Sequence, residues 1–160
     1  MTKEEIRTWF TQNNINGTIT DDYSTDIPKG SFVSQSVPAN TVAYERDKVT
    51  VTFSLGKKPT MEEKNALKSA ETYSKTMHMS KQGIYEQLVS EYGEGFTEEA
   101  AQYAIDNINA DWNANALATA KTYQTTMNMS RNAIYNQLIS AYGEKFTREE
   151  TQYAIDHLEE

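Results

Sequence analysis

A chain of 160 residues without cysteine has hydroxyls, imidazoles, amines and carboxylates to work with but no thiol. Thiol catalysis, disulfides and thiolate metal sites are excluded at once. His78 and His157 occupy non-equivalent repeat positions, and neither is joined by Cys, His or carboxylates at the spacing of a metal site. Ser80 and Ser130 have no G-x-S-x-G context and are better explained as helix caps than as nucleophiles. Asp21, Asp22 and Asp26 read as turn formers. No catalytic residue, metal or cofactor is expected. What remains is charge: Glu86, Glu91, Glu94, Glu98 and Glu99 gather around one segment, and Glu144, Glu149 and Glu150 around its copy. A solvated face is the plainer explanation of such acids. Their recurrence about the same turn favours a negative patch offered to a basic polypeptide. Lys145 and Arg148 replace Gly95 and Glu98 in the second copy, so the stronger field belongs to the first.

The distribution of charge narrows the partner. Residues 1–59 carry seven basic and seven acidic side chains, whereas residues 60–160 carry eight basic and sixteen acidic, the whole of the net charge of −8. An acidic region repels phosphate backbones and anionic lipid heads. A duplex-reading helix needs Lys and Arg, yet the segment opening with Glu98-Glu99 has no basic residue before Trp112. Nucleic acid is therefore not expected as a partner. No apolar run has the length of a membrane helix, and Met1–Ile6 enters an amphipathic helix with no secretion signal. The protein is thus cytosolic, or a leader precedes Met1 in the full gene; the abrupt start inside a structural element favours the leader.

The elements that position the acids are duplicated. Asn65–Ile108 aligns without gaps on Asn115–Leu158, fifty residues later, with about 26 of 44 positions identical, which marks one unit built twice. Thr60 with Glu63, Ser80 and Thr97 read as N-caps of three helices in the first unit. Ala66, Leu67, Ala70, Tyr73 and Met77 form one apolar stripe, and Ile84, Tyr85, Leu88, Val89 and Tyr92 the next, with Gly93 suited to a left-handed C-cap. Ala101, Ala104, Ile105 and Ile108 face inward on the third. The Met77/Met79 and Met127/Met129 pairs read as helix-end packing rather than a partner grip, and Tyr73, Tyr85, Tyr103 and their copies as core. Between Thr97 and Met127 there is neither Gly nor Pro, and Ile105, Ile108, Trp112, Ala116, Ala120, Tyr123 and Met127 keep helical spacing. That spacing predicts a continuous inter-repeat helix of roughly 45 Å, with the Asn-rich stretch 107–115 its weak point.

Upstream of the linker Gly56-Lys57-Lys58-Pro59, Thr2 and Glu5 form a capping box for a helix over about 3–13. Gly17–Tyr23 and Ser31–Val37 read as strands on either side of the turn Ile27-Pro28-Lys29-Gly30. From Lys48 the alternation is clean, Val49, Val51, Phe53 and Leu55 pointing one way. One helix is laid on a small sheet.

The order of helix, strand, Asp22–Gly30, Val33-Ser34-Gln35-Ser36 and Val49–Ser54 resembles a PASTA domain over residues 1–56. The usual opening strand is missing, Pro38-Ala39-Asn40-Thr41 stands for Pro-x-x-Gly-Thr, and Arg46-Asp47 stands where glycine is common. Met77-His78-Met79-Ser80, Ile84–Leu88, Ser90–Thr97 and Gln102–Asp106, with the copies Met127–Ser130, Tyr142–Thr147 and Gln152–Asp156, resemble the Ltp-type host-cell-surface lipoprotein repeat. The expected architecture is an α+β PASTA-like module at 1–56 lacking its first strand, a linker at 57–60, and two all-α three-helix repeats of helix-turn-helix-like character at 61–110 and 111–160. The Ltp resemblance implies a Gram-positive surface lipoprotein, tethered outside the cell membrane by a lipid anchor in the full-length protein and binding without catalysis. Its implied role is superinfection exclusion, with the acidic repeats taking a basic protein segment of phage injection machinery. The alternative is a peptidoglycan-binding module with the repeats as spacer.

Overall fold

Helix α1 (Lys3–Gln12) begins where Thr2 can cap it: Thr2 Oγ1 accepts the Glu5 N–H at 3.2 Å while Glu5 Oε2 accepts the Thr2 N–H at 2.6 Å. The computed structural model describes residues 1–42, 44 and 47–159; Arg46, singled out by the resemblance above, lies outside them. Two compact units emerge, Met1–Pro59 and Thr60–Glu160.

In the first unit β1 (Asn16–Asp22), β2 (Phe32–Gln35) and β3 (Lys48–Ser54) form a sheet of order β1-β3-β2. β3 runs parallel to β1 and antiparallel to β2. Its central position is what its alternation demands: Val49, Val51 and Phe53 are buried together with Ile6 and Phe10 of α1. Gly17 is required by this packing, because a Cβ there would lie 2.1 Å from the Phe10 ring. β2 is shorter than the extended run suggests, and a register shift between Phe32 and Ser34 interrupts its pairing. Gly30 takes the positive φ of 84° that its turn requires.

The second unit is all-helical: α2 (Met61–Met77), α3 (Lys81–Val89) and α4 (Glu98–Asn107), then α5 (Trp112–Thr125), α6 (Arg131–Ile139) and α7 (Arg148–Asp156). The caps recur in register. Ser80 Oγ accepts the Gly83 N–H at 3.0 Å and Ser130 Oγ the Ala133 N–H at 3.3 Å; Thr97 and Thr147 do the same for α4 and α7. Ala66, Ala70, Ile84, Leu88, Ala101 and Ala104 form the first core, and Ala116, Ala120, Ile134, Leu138, Phe146 and Ala154 the second. Alanines at the crossing of the long helix with the third let the two backbones approach closely.

Several expectations are corrected, and Asp21 and Asp22, read as turn formers, lie instead at the end of strand β1. The inter-repeat helix is broken: α4 ends at Asn107, Ile108 is extended (φ −65°, ψ 134°), and Asp111 caps α5 by accepting the Ala114 N–H at 2.9 Å. A capping carboxylate competes for the backbone donors, and here it wins. Gly93 is no left-handed cap; α3 already ends at Val89, and Gly93 is needed because a Cβ would lie 2.3 Å from the Gln87 carbonyl oxygen. The positive φ falls two residues on, at Gly95 (65°) and at its counterpart Lys145 (61°). Tyr92, beyond the end of α3, is fully exposed rather than part of an apolar face. Met77 and Met127 are exposed, Ser74 being buried in that stripe instead, while Met79 and Met129 pack on the cores. Of the tyrosines expected in the core, Tyr73, Tyr85 and Tyr123 are partly buried against the cores, while Tyr153, the most exposed of them, stacks on His157 with ring centroids 4.0 Å apart.

Candidate functional site

The turn between the second and third helix of each repeat is held by backbone bonds. Glu94 N–H donates to the Gln87 carbonyl at 3.1 Å and Phe96 N–H to that of Leu88 at 2.9 Å; Glu144 and Phe146 repeat both bonds. Side chains at 91, 92, 94, 98 and 99 therefore project from a fixed loop and the first turn of α4.

The eight acids singled out in the sequence do not share one fate. Glu86 is neutralised: Lys145 Nζ donates to its Oε2 and Gln82 Nε2 to its Oε1 at 2.8 Å. The Lys145 bond, before the others, holds its carboxyl below the usual range. Glu94 Oε1 accepts the Tyr73 hydroxyl at 2.5 Å, and this bond is the main reason that the Tyr73 phenol is pushed up. Glu144 accepts the Tyr123 hydroxyl in the same way; burial first, and that bond second, raises Tyr123. Glu150 is engaged in a capping box with Thr147, its Oε2 accepting the Thr147 N–H at 2.9 Å. Glu91, Glu98, Glu99 and Glu149 are exposed and make no ion pair among the described residues.

Repeat one therefore carries the more open negative surface, and two further residues belong to it. Glu62, in the first turn of α2, accepts the Thr97 N–H at 3.0 Å, which brings the starts of α2 and α4 together and adds its charge to those of Glu98 and Glu99. The two acids Glu62 and Glu63 in the first turn after the Thr60 cap are the signal in the sequence. Its counterpart in repeat two is Trp112. The second residue is Tyr92, between Glu91 and Glu94, its side chain wholly in solvent. A large amphipathic ring held out by a rigid turn amid carboxylates is suited to cover an incoming cationic chain. Tyr142 is equally exposed, but Lys145 and Arg148 follow it.

The repeats are joined by polar contacts. Asn115 Nδ2 donates to Ser74 Oγ at 2.9 Å and to the Met79 carbonyl at 3.0 Å, Thr119 Oγ1 donates to the His78 carbonyl at 3.1 Å, and Ser80 Oγ donates to the Glu144 carbonyl. A polar cleft of about 450 Å³ is lined by both Lys145 and Glu86, and a mixed one of about 520 Å³ borders Lys145. Separately, in the first unit, Trp9, Phe10, Phe32, Val37 and Val51 line an apolar pocket of about 470 Å³ rimmed by Gln35, Asn40 and Thr41. Among the described residues no three His, Cys, Asp or Glu side chains converge as metal ligands, and no helix is long and apolar enough to cross a membrane.

Sequence comparison places this arrangement among known proteins. The family described as host cell surface-exposed lipoprotein matches residues 61–108 and 111–158, and the PASTA domain matches residues 1–55. A search of curated protein sequences finds no match. Among solved structures, that of Ltp, a superinfection exclusion protein from the Streptococcus thermophilus temperate phage TP-J34, is 41% identical with a TM-score of 0.58; the alignment covers 64% of this chain and 100% of that one. With both helical repeats matched and a helical relative aligned over its whole length, this chain belongs to the host cell surface-exposed lipoprotein (Ltp) family and carries an N-terminal PASTA domain.

Proposed function

We propose that the chain is the outward part of a lipid-anchored surface protein that excludes superinfecting phage, capturing a cationic polypeptide segment of the injection machinery on the acidic turn of repeat one. The similar solved protein is a superinfection exclusion protein by its title, and the family is one of surface-exposed lipoproteins. The observation that carries the reading is Tyr92, wholly exposed between Glu91 and Glu94 with Glu98 and Glu99 one turn of chain beyond. Open carboxylates steer a basic chain toward the turn and repel nucleic acid; the ring supplies contact area at small entropic cost. Binding suffices, because a captured segment cannot complete DNA delivery. The chain, tethered by an added lipid anchor to a phage-sensitive Gram-positive host, is expected to reduce phage DNA entry. Glu91→Lys, Glu98→Lys and Glu99→Lys together are expected to abolish that protection while leaving helical content unchanged. Protection that survives the triple reversal would eliminate the acidic turn as the capturing surface.

The apolar pocket of the first unit favours a second reading, wall attachment. Trp9 and Phe32, 44% and 49% exposed, flank a concavity whose rim carries Gln35, Asn40 and Thr41. Such a lining suits a peptidoglycan fragment with both apolar and hydrogen-bonding faces. The full chain would then co-sediment with purified peptidoglycan and Trp9→Ala would release it; no co-sedimentation leaves the repeats as the sole functional part.

A further inference from the structure

The junction between the repeats is made by one groove and one turn, and each has an open counterpart elsewhere in the same unit. The groove belongs to repeat two: Asn115 and Thr119 of α5, with the Glu144 carbonyl, receive the His78-Met79-Ser80 turn of repeat one. Fifty residues earlier, Asn65, Ser69 and Glu94 line, with Lys68, Thr72 and Tyr73, a groove of about 370 Å³ on repeat one. Fifty residues after the seated turn, Asn128-Met129-Ser130 repeats it, with Asn128 at φ 52° as His78 is at φ 52°. The occupied members are covered, Asn115 being 7% and Ser80 1% exposed. Asn65, Asn128 and Ser130 are exposed.

We propose that chains associate head to tail, the Asn128–Ser130 turn of one copy seating in the Asn65–Glu94 groove of the next, as a repetition of the contact that joins the two repeats within a chain. Three of the four polar contacts have counterparts at the open ends; the fourth does not, since Gln124 stands for Ser74. Asn65 Nδ2 takes the place of Asn115 toward the Met129 carbonyl, Ser69 that of Thr119 toward the Asn128 carbonyl, and Ser130 that of Ser80 toward the Glu94 carbonyl. Ala133 stands where Gly83 lies at the internal junction. A Cβ at Gly83 would be 3.8 Å from the Glu144 oxygen, an ordinary contact, so alanine does not obstruct the seat. The ion pair does not survive: Gly95 stands for Lys145 and Asn136 for Glu86. The association is consequently weaker than the internal junction. Being heterologous, it extends into open chains rather than closing as a dimer, and it gains from the high local concentration of a surface-tethered protein.

Sedimentation equilibrium of the whole chain tests this. Weak, open-ended association is expected, with a dissociation constant of about 0.1–1 mM. Gly95→Lys with Asn136→Glu restores the ion pair, and lysine fits position 95 because Lys145 already adopts the same backbone conformation; association is expected to tighten about threefold to fivefold. Asn65→Ala with Ser69→Ala, the first exposed and the second partly so, is expected to weaken it about tenfold or more. A chain that stays monomeric to about 1 mM even with the ion pair restored would overturn the proposal, and so would association that the groove variant leaves unchanged.

Discussion

Replacing Asn115 by alanine separates a groove that holds the repeats together from one that is merely open. Its amide is buried, and its two donated bonds, 2.9 Å to Ser74 Oγ and 3.0 Å to the Met79 carbonyl, end on partners that water does not reach freely, Ser74 being 4% exposed. Stranding a buried acceptor costs about 1–2 kcal/mol, so losing both bonds should cost about 2–4 kcal/mol. For a unit of this size that corresponds to a fall in the melting temperature of roughly 10 °C or more. Asn65→Ala is the internal control: the same residue at the equivalent position but exposed, with an expected change within about 0.5 kcal/mol. Urea and thermal unfolding followed by far-UV circular dichroism measure both. A Ser74→Ala/Asn115→Ala cycle should show coupling of about 1 kcal/mol. Equal losses at 115 and 65 would refute the junction as described.

Lys145→Gln should cost about 0.5–1 kcal/mol, as expected of a partly exposed pair, and the loss should shrink in high salt. Because Glu86 has a depressed folded carboxyl, the pair's stabilisation is present above the carboxylate's ordinary range and drains away as pH falls through the lower folded value. Acid titration of the variant should therefore lack that component, and an unchanged acid limb would contradict it. Thr151 is fully buried with its hydroxyl unpartnered among the described residues, and the equivalent position holds Ala101. Thr151→Val should raise stability by about 1 kcal/mol in denaturant unfolding. Gly17→Ala drives a methyl into the Phe10 ring and should destabilise the first unit by about 2–4 kcal/mol, read as loss of its near-UV signal.

The duplication, the three helices per repeat and the helix-on-sheet module are all legible in the residues, because local signals agree there. Thr2, Thr60, Ser80 and Thr97 each cap the helix they announce, and Val49-Thr50-Val51-Thr52-Phe53 alternates as only a half-buried strand would. The break after Asn107 is legible only as a weak point, the Asn-rich stretch 107–115. Ile105, Ile108, Trp112 and Ala116 stay in helical phase across it, and only the Asp111 cap marks the restart. Tyr92 was misplaced for the same reason: its spacing from Leu88 and Val89 is helical, but α3 has already ended. The neutralisation of Glu86 was beyond reach, since Lys145 lies 59 residues away and meets it only across the repeat junction. Periodicity reports phase; it does not report where a backbone leaves the helix or which distant charge comes to rest beside it.

Capture on repeat one is tested most directly by comparing Tyr92→Ala with Tyr142→Ala in the tethered protein, with phage DNA entry measured in the same host. Both rings are wholly exposed at equivalent positions, so neither change disturbs the cores. Loss of most protection from Tyr92→Ala, with little from Tyr142→Ala, is the predicted result. Equal effects, or a larger effect at Tyr142, would contradict it.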